Sequence, residues 1–160
     1  MAISADEFRA AMGSWPSGVT IITTRAGEKI HGMTVSDFSG ASLAPPLALV
    51  CASKTSVTTG IIDEGKCFAV NILGADQSDL SNRFASKKDE FQRFEGLETF
   101  EDATGAPLIK SALVNLDCRL VATHDAGDHV LCVGEIEAAH VREGDPLLYF
   151  RGSYGRFEPT

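Results

Sequence analysis

GVTIITTRAGEKIHGMTVSDF, residues 18–38, sets two β-branched runs on either side of Ala26-Gly27-Glu28. A short glycine-containing connection between two such runs predicts a β-hairpin, since glycine reaches the positive φ that tight turns require. Upstream, Ser4 is followed three residues later by Glu7, and Phe8, Ala11 and Met12 recur at helical spacing, so residues 4–13 read as a short amphipathic helix closed by Gly13. Downstream, Pro45-Pro46 launches LALVCAS, residues 47–53, an unbroken apolar run that predicts a central strand covered on both faces. CFAVNIL, residues 67–73, predicts another strand, with room for one short helix across residues 55–64. Leu80, Phe84, Phe91 and Phe94 recur at mostly helical spacing, which predicts a helix and a continuing turn over residues 77–94. Residues 113–124, 129–141 and 146–154 read as strands, with turns at 125–128 and 143–145. Six or more strands joined mostly as hairpins make a mainly β chain, an antiparallel barrel with a few short peripheral helices.

The 160 residues carry 14 basic and 22 acidic side chains, a formal charge of -8, the wrong sign for phosphate backbones. Nucleic acid and anionic membrane are excluded as partners on that ground. A chain of this length buries roughly 70% of its unfolded surface, so residues 1–160 are expected to form one domain without disulfides or structural metal. Cys51, Cys67, Cys118 and Cys132 are widely spaced, with no C-x-x-C pair, so no metal site is expected; Cys51, Cys67 and Cys132 sit in apolar runs as core filler. The first residues, MAISADEFRAAMG, hold acids and no apolar run of signal-peptide length, and no window is long enough to span a bilayer; a cytoplasmic address is expected. No G-x-G-x-x-G turn and no G-x-S-x-G elbow occurs, which excludes a Rossmann cofactor site and a serine acyl-transfer centre.

Five segments have the composition of a binding site. Ser53-Lys54-Thr55-Ser56-Val57-Thr58-Thr59 places hydroxyls and one cation where a strand gives way to a helix start, suiting a phosphate oxygen, though a simple helix cap explains Thr55 or Ser56 equally. Gly32-Met33-Thr34-Val35-Ser36 presents small and hydroxylated residues at the hairpin's end, where backbone amides can meet a flat heterocycle such as a flavin, or form an ordinary strand edge. Arg83, Lys87, Lys88 and Arg93 lie within eleven positions, either an anion site or a solvated basic face. His129 follows Ala126-Gly127-Asp128 at a turn-to-strand junction, suited to an aromatic ligand or to a structural role. Tyr149-Phe150-Arg151-Gly152-Ser153-Tyr154-Gly155 reads as a ligand-facing segment or as an edge strand.

In order and spacing these segments resemble the flavin reductase-like split-barrel proteins, the small reductase components of two-component flavin-dependent monooxygenases. The resemblance covers nearly the whole chain and is carried by FRAAMGSWPSG (8–18), GMTVS, SLAPPLALVC with its following Ser-Lys-Thr-Ser, FAVNIL with Gln77, Leu80 and Phe84, then LDC, AGDH and PLLYFRGSY. It implies a split β-barrel, an NAD(P)H:flavin oxidoreductase using NADH or NADPH and FMN or FAD, a homodimer, and a partner oxygenase that takes the reduced flavin. By matching position, Met33, Thr34, Val35 and Ser36 should flank the isoalloxazine and ribityl chain, and Ser53, Lys54, Thr55 and Ser56 should meet the phosphate. Asn71, Arg83 and Phe84 border the site, His129 helps hold the nicotinamide, and Gly152 and Tyr154 lie close by. Members commonly carry Ala-Asn or Ala-Ser where this chain has Met33-Thr34, so FMN and FAD both stay open. The alternatives are a flavin-binding or electron-transfer protein without nicotinamide chemistry, an apolar-ligand barrel of lipocalin type, and a pyridoxamine-phosphate-oxidase-like enzyme, which would want more basic residues.

Overall fold

The computed structural model describes residues 2–160. Its elements are α1 (Ala5–Gly13), β1 (Ser17–Gly18), β2 (Thr20–Ala26), β3 (Lys29–Val35), β4 (Phe38–Leu43), β5 (Pro46–Ser53), α2 (Val57–Gly65), β6 (Cys67–Ile72) and α3 (Ser78–Ala85). A 3-10 turn (Glu90–Gln92), β7 (Thr99–Phe100), β8 (Leu108–Ile109), β9 (Val114–Ala126), β10 (His129–Val141), β11 (Leu148–Phe150) and β12 (Ser153–Gly155) complete the chain.

Seven strands pair antiparallel in the order β3-β2-β6-β9-β10-β5-β4. β3 and β4 therefore stand at opposite edges, yet only Ser36 and Asp37 join them. Two linking residues reach at most about 11 Å between the flanking Cα atoms, whereas six strand spacings in a flat sheet come to roughly 29 Å. The sheet has to curl until its edges meet. It encloses one core cluster, with Ile22 from β2, Val35 from β3, Ala48 and Val50 from β5, Phe68 from β6 and Cys132 from β10. Between β3 and β4 no ladder forms, so the barrel is split along a seam at Ser36-Asp37, where Cys51 N–H of β5 donates to Asp37 O (2.9 Å).

Two glycines make the curl and the helix packing possible. A Cβ on Gly134 would lie 2.5 Å from Phe68 Cζ and 2.8 Å from Cys118 Cβ, and the β9–β10 register shifts beside it, so the bulge and the bare Cα admit Phe68 to the core. A Cβ on Gly65 would lie 1.8 Å from Arg25 O, which is how closely the end of α2 is pressed on β2.

The hairpin predicted from residues 18–38 is β2–β3, turning at Gly27 with φ 57°. Ser4 and Glu7 form the expected capping box on α1. Several expectations need correction, among them residues 146–154, which form not one strand but two, β11 and β12, paired around a turn at Arg151-Gly152. β5 is not central: it lies next to the edge strand β4, and its residues alternate, with Ala48, Val50 and Ala52 buried and Leu47, Leu49 and Cys51 half-buried. Cys51 is accordingly no core filler. α1 buries none of its residues, leaving Phe8 and Met12 each 55% exposed. Phe91 is exposed rather than packed with Phe84 and Phe94. β4, with only Phe38 and Leu43 as large apolar residues, carried too weak a pattern to be read as a strand.

Candidate active site

β3 delivers Met33-Thr34-Val35 to the seam, and β5 runs out beside it into the turn that starts α2. At that turn Ser56 has extended backbone (φ -75°, ψ 136°), and its Oγ accepts from Thr58 N (3.2 Å), so Ser56 is the helix cap. The same hydroxyl donates to Met33 Sδ at 3.1 Å, joining the two candidate segments. Ser53 Oγ and Thr55 Oγ1 lie 3.1 Å apart, and Thr59 Oγ1 donates to Ser53 O (2.8 Å). Ser53 is also the antiparallel partner of His129 at the start of β10. His129 Nδ1 sits 2.8 Å from Asp128 Oδ1, and this hydrogen bond, ahead of the histidine's charge, holds the Asp128 carboxyl below its usual range.

On the other side of β3, Thr34 Oγ1 donates to Ser81 O (2.6 Å) of α3, and Tyr154 OH of β12 reaches Ser81 Oγ and Asn82 Oδ1, both at 2.8 Å. Tyr154, α3, β3, the start of α2 and His129 thus follow one another along one continuous rim. A groove of about 400 Å³ flanks it, with Lys54, Thr59, Asp125 and Val130 among its walls.

Met33, Thr34, Ser53, Thr55, Ser56, His129 and Tyr154 are brought together on this rim, and Ser36 lies at the seam. Of the other expected site residues, Asn71, Phe84 and Val35 point inward, whereas Arg83, Lys54 and Gly152 are not buried and have partners or positions of their own. Asn71 is fully buried: its amide donates to Ile21 O and Thr23 Oγ1, and its oxygen accepts from Ile109 N and Asn115 Nδ2, which leaves nothing for a ligand. Phe84 is also fully buried, packed where a Cβ on Gly32 would meet its ring at 2.9 Å. Val35 points into the barrel core. Arg83 donates to Gln92 O (3.1 Å) and Glu95 O (2.5 Å), so it holds a loop. Lys54 is paired with Asp125 Oδ1 at 2.9 Å. Gly152, at φ 80°, sits in the β11–β12 turn, beside the Arg151 N–H that donates to Gly13 O of α1.

Sequence reasoning missed Ser81, Asn82 and Asp125, which are partners only through tertiary packing; Thr58 stood in the run 53–59 singled out from the sequence, without a role of its own. Two thiols belong to the core, where burial pushes Cys118 up to about 12 and Cys132 up to about 11, which disfavours the nucleophilic thiolate. Among the described residues no group of three or more His, Cys, Asp or Glu is placed to hold a metal, and no helix is long and apolar enough to cross a membrane.

The start of α2 fits a phosphate, with accessible hydroxyls on Ser53 and Thr55 beside the positive end of the helix dipole. Residues 12–158 match the family model described as flavin reductase like domain. The chain is 41% identical over 150 residues to the FMN reductase (NADH) SmoA of Agrobacterium fabrum, covering 94% of this chain and 84% of that protein. It is 36% identical over 159 residues to HsaB of Rhodococcus jostii, the reductase subunit of a flavin-dependent monooxygenase, covering 99% of this chain and 80% of that one. The NADH:FAD oxidoreductase SgcE6 of Streptomyces globisporus, solved with NAD and FAD fragments, superposes with a TM-score of 0.90 at 30% identity, over 99% of this chain and 98% of that chain. With its split barrel and a match running through almost its whole length, the chain belongs to the flavin reductase like domain family.

Proposed function

We propose that the protein is an NAD(P)H:flavin oxidoreductase, with FMN or FAD as acceptor, that supplies reduced flavin to a partner monooxygenase. One observation carries this function: the two-residue crossing at Ser36-Asp37 brings the Met33 segment against Ser56, with Ser53 paired to His129. The flavin supplies the redox chemistry, taking hydride from reduced nicotinamide. The chain's own residues bind and orient. The hydroxyls of Ser53, Thr55 and Ser56 hold the phosphate, and Lys54, whose solvent-exposed pair with Asp125 is weak, stands beside them. β3 is paired on one side only, so its seam side offers main-chain groups to the ring from Met33 to Ser36. Thr34 and Tyr154, both tied to Ser81, hold that strand against α3. His129 positions the nicotinamide. No nucleophile or strong base is required, because the protein's task is to hold two rings in near-attack geometry.

NADH is the favoured donor, since the relatives SmoA and SgcE6 are named for it. The 160 residues act as one domain, in the cytoplasm, as a homodimer. The dimer is supported by apolar surface that the chain itself leaves uncovered: Phe8, Met12 and Trp15 (76% exposed) around α1, and Phe150 and Phe157 near the C-terminus. An anaerobic flavin titration followed by NADH and NADPH oxidation tests the function. Flavin binding with oxidation that depends on added flavin is expected; oxidation at the no-enzyme rate under saturating flavin overturns it and leaves a flavin-binding protein.

A further inference from the structure

His31 and Arg93 lie outside the rim, and among the described residues they are the two whose buried side-chain atoms, His31 Nε2 and Arg93 Nε, have no hydrogen-bond partner. They are 2% and 5% exposed. A buried cation set beside a buried imidazole carries a desolvation cost, which the Glu90 carboxylate 3.8 Å from Arg93 Nη2 partly offsets. The contacts show what is gained. Arg93 Nη1 donates to Gly32 O at 2.6 Å and Nη2 to Ser86 O, clamping the turn after α3 onto β3 immediately before Met33. Gly32 is pinned from its other side, since a Cβ there would meet Phe84 at 2.9 Å and Ile22 O at 3.0 Å. His31 Nδ1 lies 2.8 Å from Thr58 Oγ1, while Thr58 N donates to Ser56 Oγ, which donates to Met33 Sδ. Contacts therefore run in a ring from His31 through Thr58, Ser56 and Met33 back to Gly32, and Arg93 closes it from outside.

We propose that Arg93 and His31, the latter in its neutral form, are positioning residues that fix the Gly32–Ser36 segment and the Ser53–Ser56 turn relative to each other for flavin binding. This rests on the flavin site proposed above. His31 faces Thr58 from α2, Arg93 and Glu90 from the turn after α3, and the edge of the Phe91 ring at 5.7 Å. Protonation would place N–H on both ring nitrogens; Nδ1 keeps Thr58, but Nε2 has no acceptor and the new charge faces Arg93. Burial first and Arg93 second accordingly hold the His31 pKa below its ordinary value, with Glu90 opposing. Acid is thus expected to strain the ring of contacts and loosen flavin.

Flavin dissociation constants, measured by quenching of flavin fluorescence between pH 5 and pH 8, test this alongside melting temperatures. In the unaltered protein, affinity is level from neutral pH downward and falls only as the pH drops through the lowered His31 pKa, below the ordinary imidazole range, and His31→Gln, which keeps a polar partner for Thr58 but cannot charge, removes that dependence. Arg93→Met weakens flavin by about tenfold or more, with Arg93→Lys between it and the parent, while circular dichroism stays native. The proposal is overturned if Arg93→Met and Arg93→Lys both fold and bind flavin within twofold of the parent. It is equally overturned if the pH dependence is absent in the parent or unchanged in His31→Gln. Should Arg93→Met not fold, the Arg93→Lys and pH arms decide. The Thr55→Ala, Ser56→Ala double variant separates the two levels: if it binds flavin like the parent, the site reading fails; if it weakens flavin and Arg93→Met does not, only the positioning role fails.

Discussion

Thr55 and Ser56 are adjacent hydroxyls with different structural duties, so removing each should give different ratios of lost stability to lost affinity. Thr55 is exposed, and its Oγ1 meets only Ser53 Oγ. Thr55→Ala is expected to change stability by less than about 0.5 kcal/mol. Ser56 Oγ accepts the Thr58 amide as the α2 cap, so Ser56→Ala should cost about 1 kcal/mol, roughly 2–4 °C in Tm for a domain of this size. For flavin, each hydroxyl that donates to a charged phosphate oxygen is worth about 1.5–3 kcal/mol, or roughly ten- to a hundredfold in Kd. Ser56 can make that donation while still capping, because its proton now goes to Met33 Sδ, a weak acceptor that a phosphate oxygen outcompetes.

Calorimetric melting and flavin titration on the parent, both single variants and the double variant provide the measurement. The expected pattern is a Tm loss confined to variants lacking Ser56, with affinity lost in all three. A folded double variant that binds flavin like the parent moves the phosphate elsewhere. A Tm loss in Thr55→Ala equal to that in Ser56→Ala refutes the capping assignment instead.

His129→Ala is expected to lower kcat/KM for NADH by roughly five- to thirtyfold with flavin affinity nearly unchanged; equal losses of flavin binding and turnover would move His129 from the nicotinamide to the flavin. Gly65→Ala should cost about 3 kcal/mol or more, because its Cβ meets main chain at Arg25 O rather than a movable side chain, and a melt within 2 °C of the parent would contradict it. Because His31 stays neutral in the fold at pH values where the unfolded chain takes up a proton, stability is full above about pH 6.5 and declines below it, levelling off beneath the folded-state pKa. A Tm against pH that is identical in His31→Gln and the parent counts against this. Cys51, half-buried and raised first by burial and then by Asp37 and Asp128, is expected to be the first thiol labelled by a disulfide reagent, slowly, with Cys118 and Cys132 reacting only on unfolding; fast labelling of either buried thiol is the contrary result.

The local signals in the sequence were strong where one element decides its own geometry. Gly27 turns the hairpin, Ser4 and Glu7 cap α1, and the β-branched runs make β2, β6, β9 and β10. β5 misled because an unbroken apolar run looks the same whether both faces are covered by this chain or one is left half-open: Leu47 and Leu49 are apolar but only half-buried. Asn71 and Phe84 misled for a related reason. Both stand in segments that border the rim, but a strand alternates sides and a helix turns, and each of these two side chains points inward. Arg93 read as one of four clustered cations, and only the packing distinguishes a guanidinium buried on Gly32 O from solvated neighbours.

A split in the barrel and the site proposed there follow from one another. Had β3 and β4 paired, the main-chain groups of Met33 to Ser36 facing the seam would have been consumed in a ladder, and nothing flat could be held there except by side chains. With β3 paired to β2 alone, that edge stays open, which is ordinarily a hazard for a strand of this kind. Here it is shielded at its two ends by the Arg93 clamp on Gly32 and by the two-residue crossing at Ser36-Asp37, both of which fix the edge without filling it. Lengthening that crossing should therefore harm the site before it harms the fold: inserting two glycines between Ser36 and Asp37 relaxes the requirement that the sheet edges meet while leaving the β2–β3 and β4–β5 hairpins their own ladders. The loop-closure penalty of doubling the crossing from two residues to four is small, about 0.6 kcal/mol beyond the added glycine freedom, so Tm should fall by only a few degrees while flavin affinity drops by at least tenfold, in keeping with the sensitivity of bound geometry to shifts near 1 Å. An insertion variant that melts and binds flavin like the parent would show that the seam's tightness is incidental to the site.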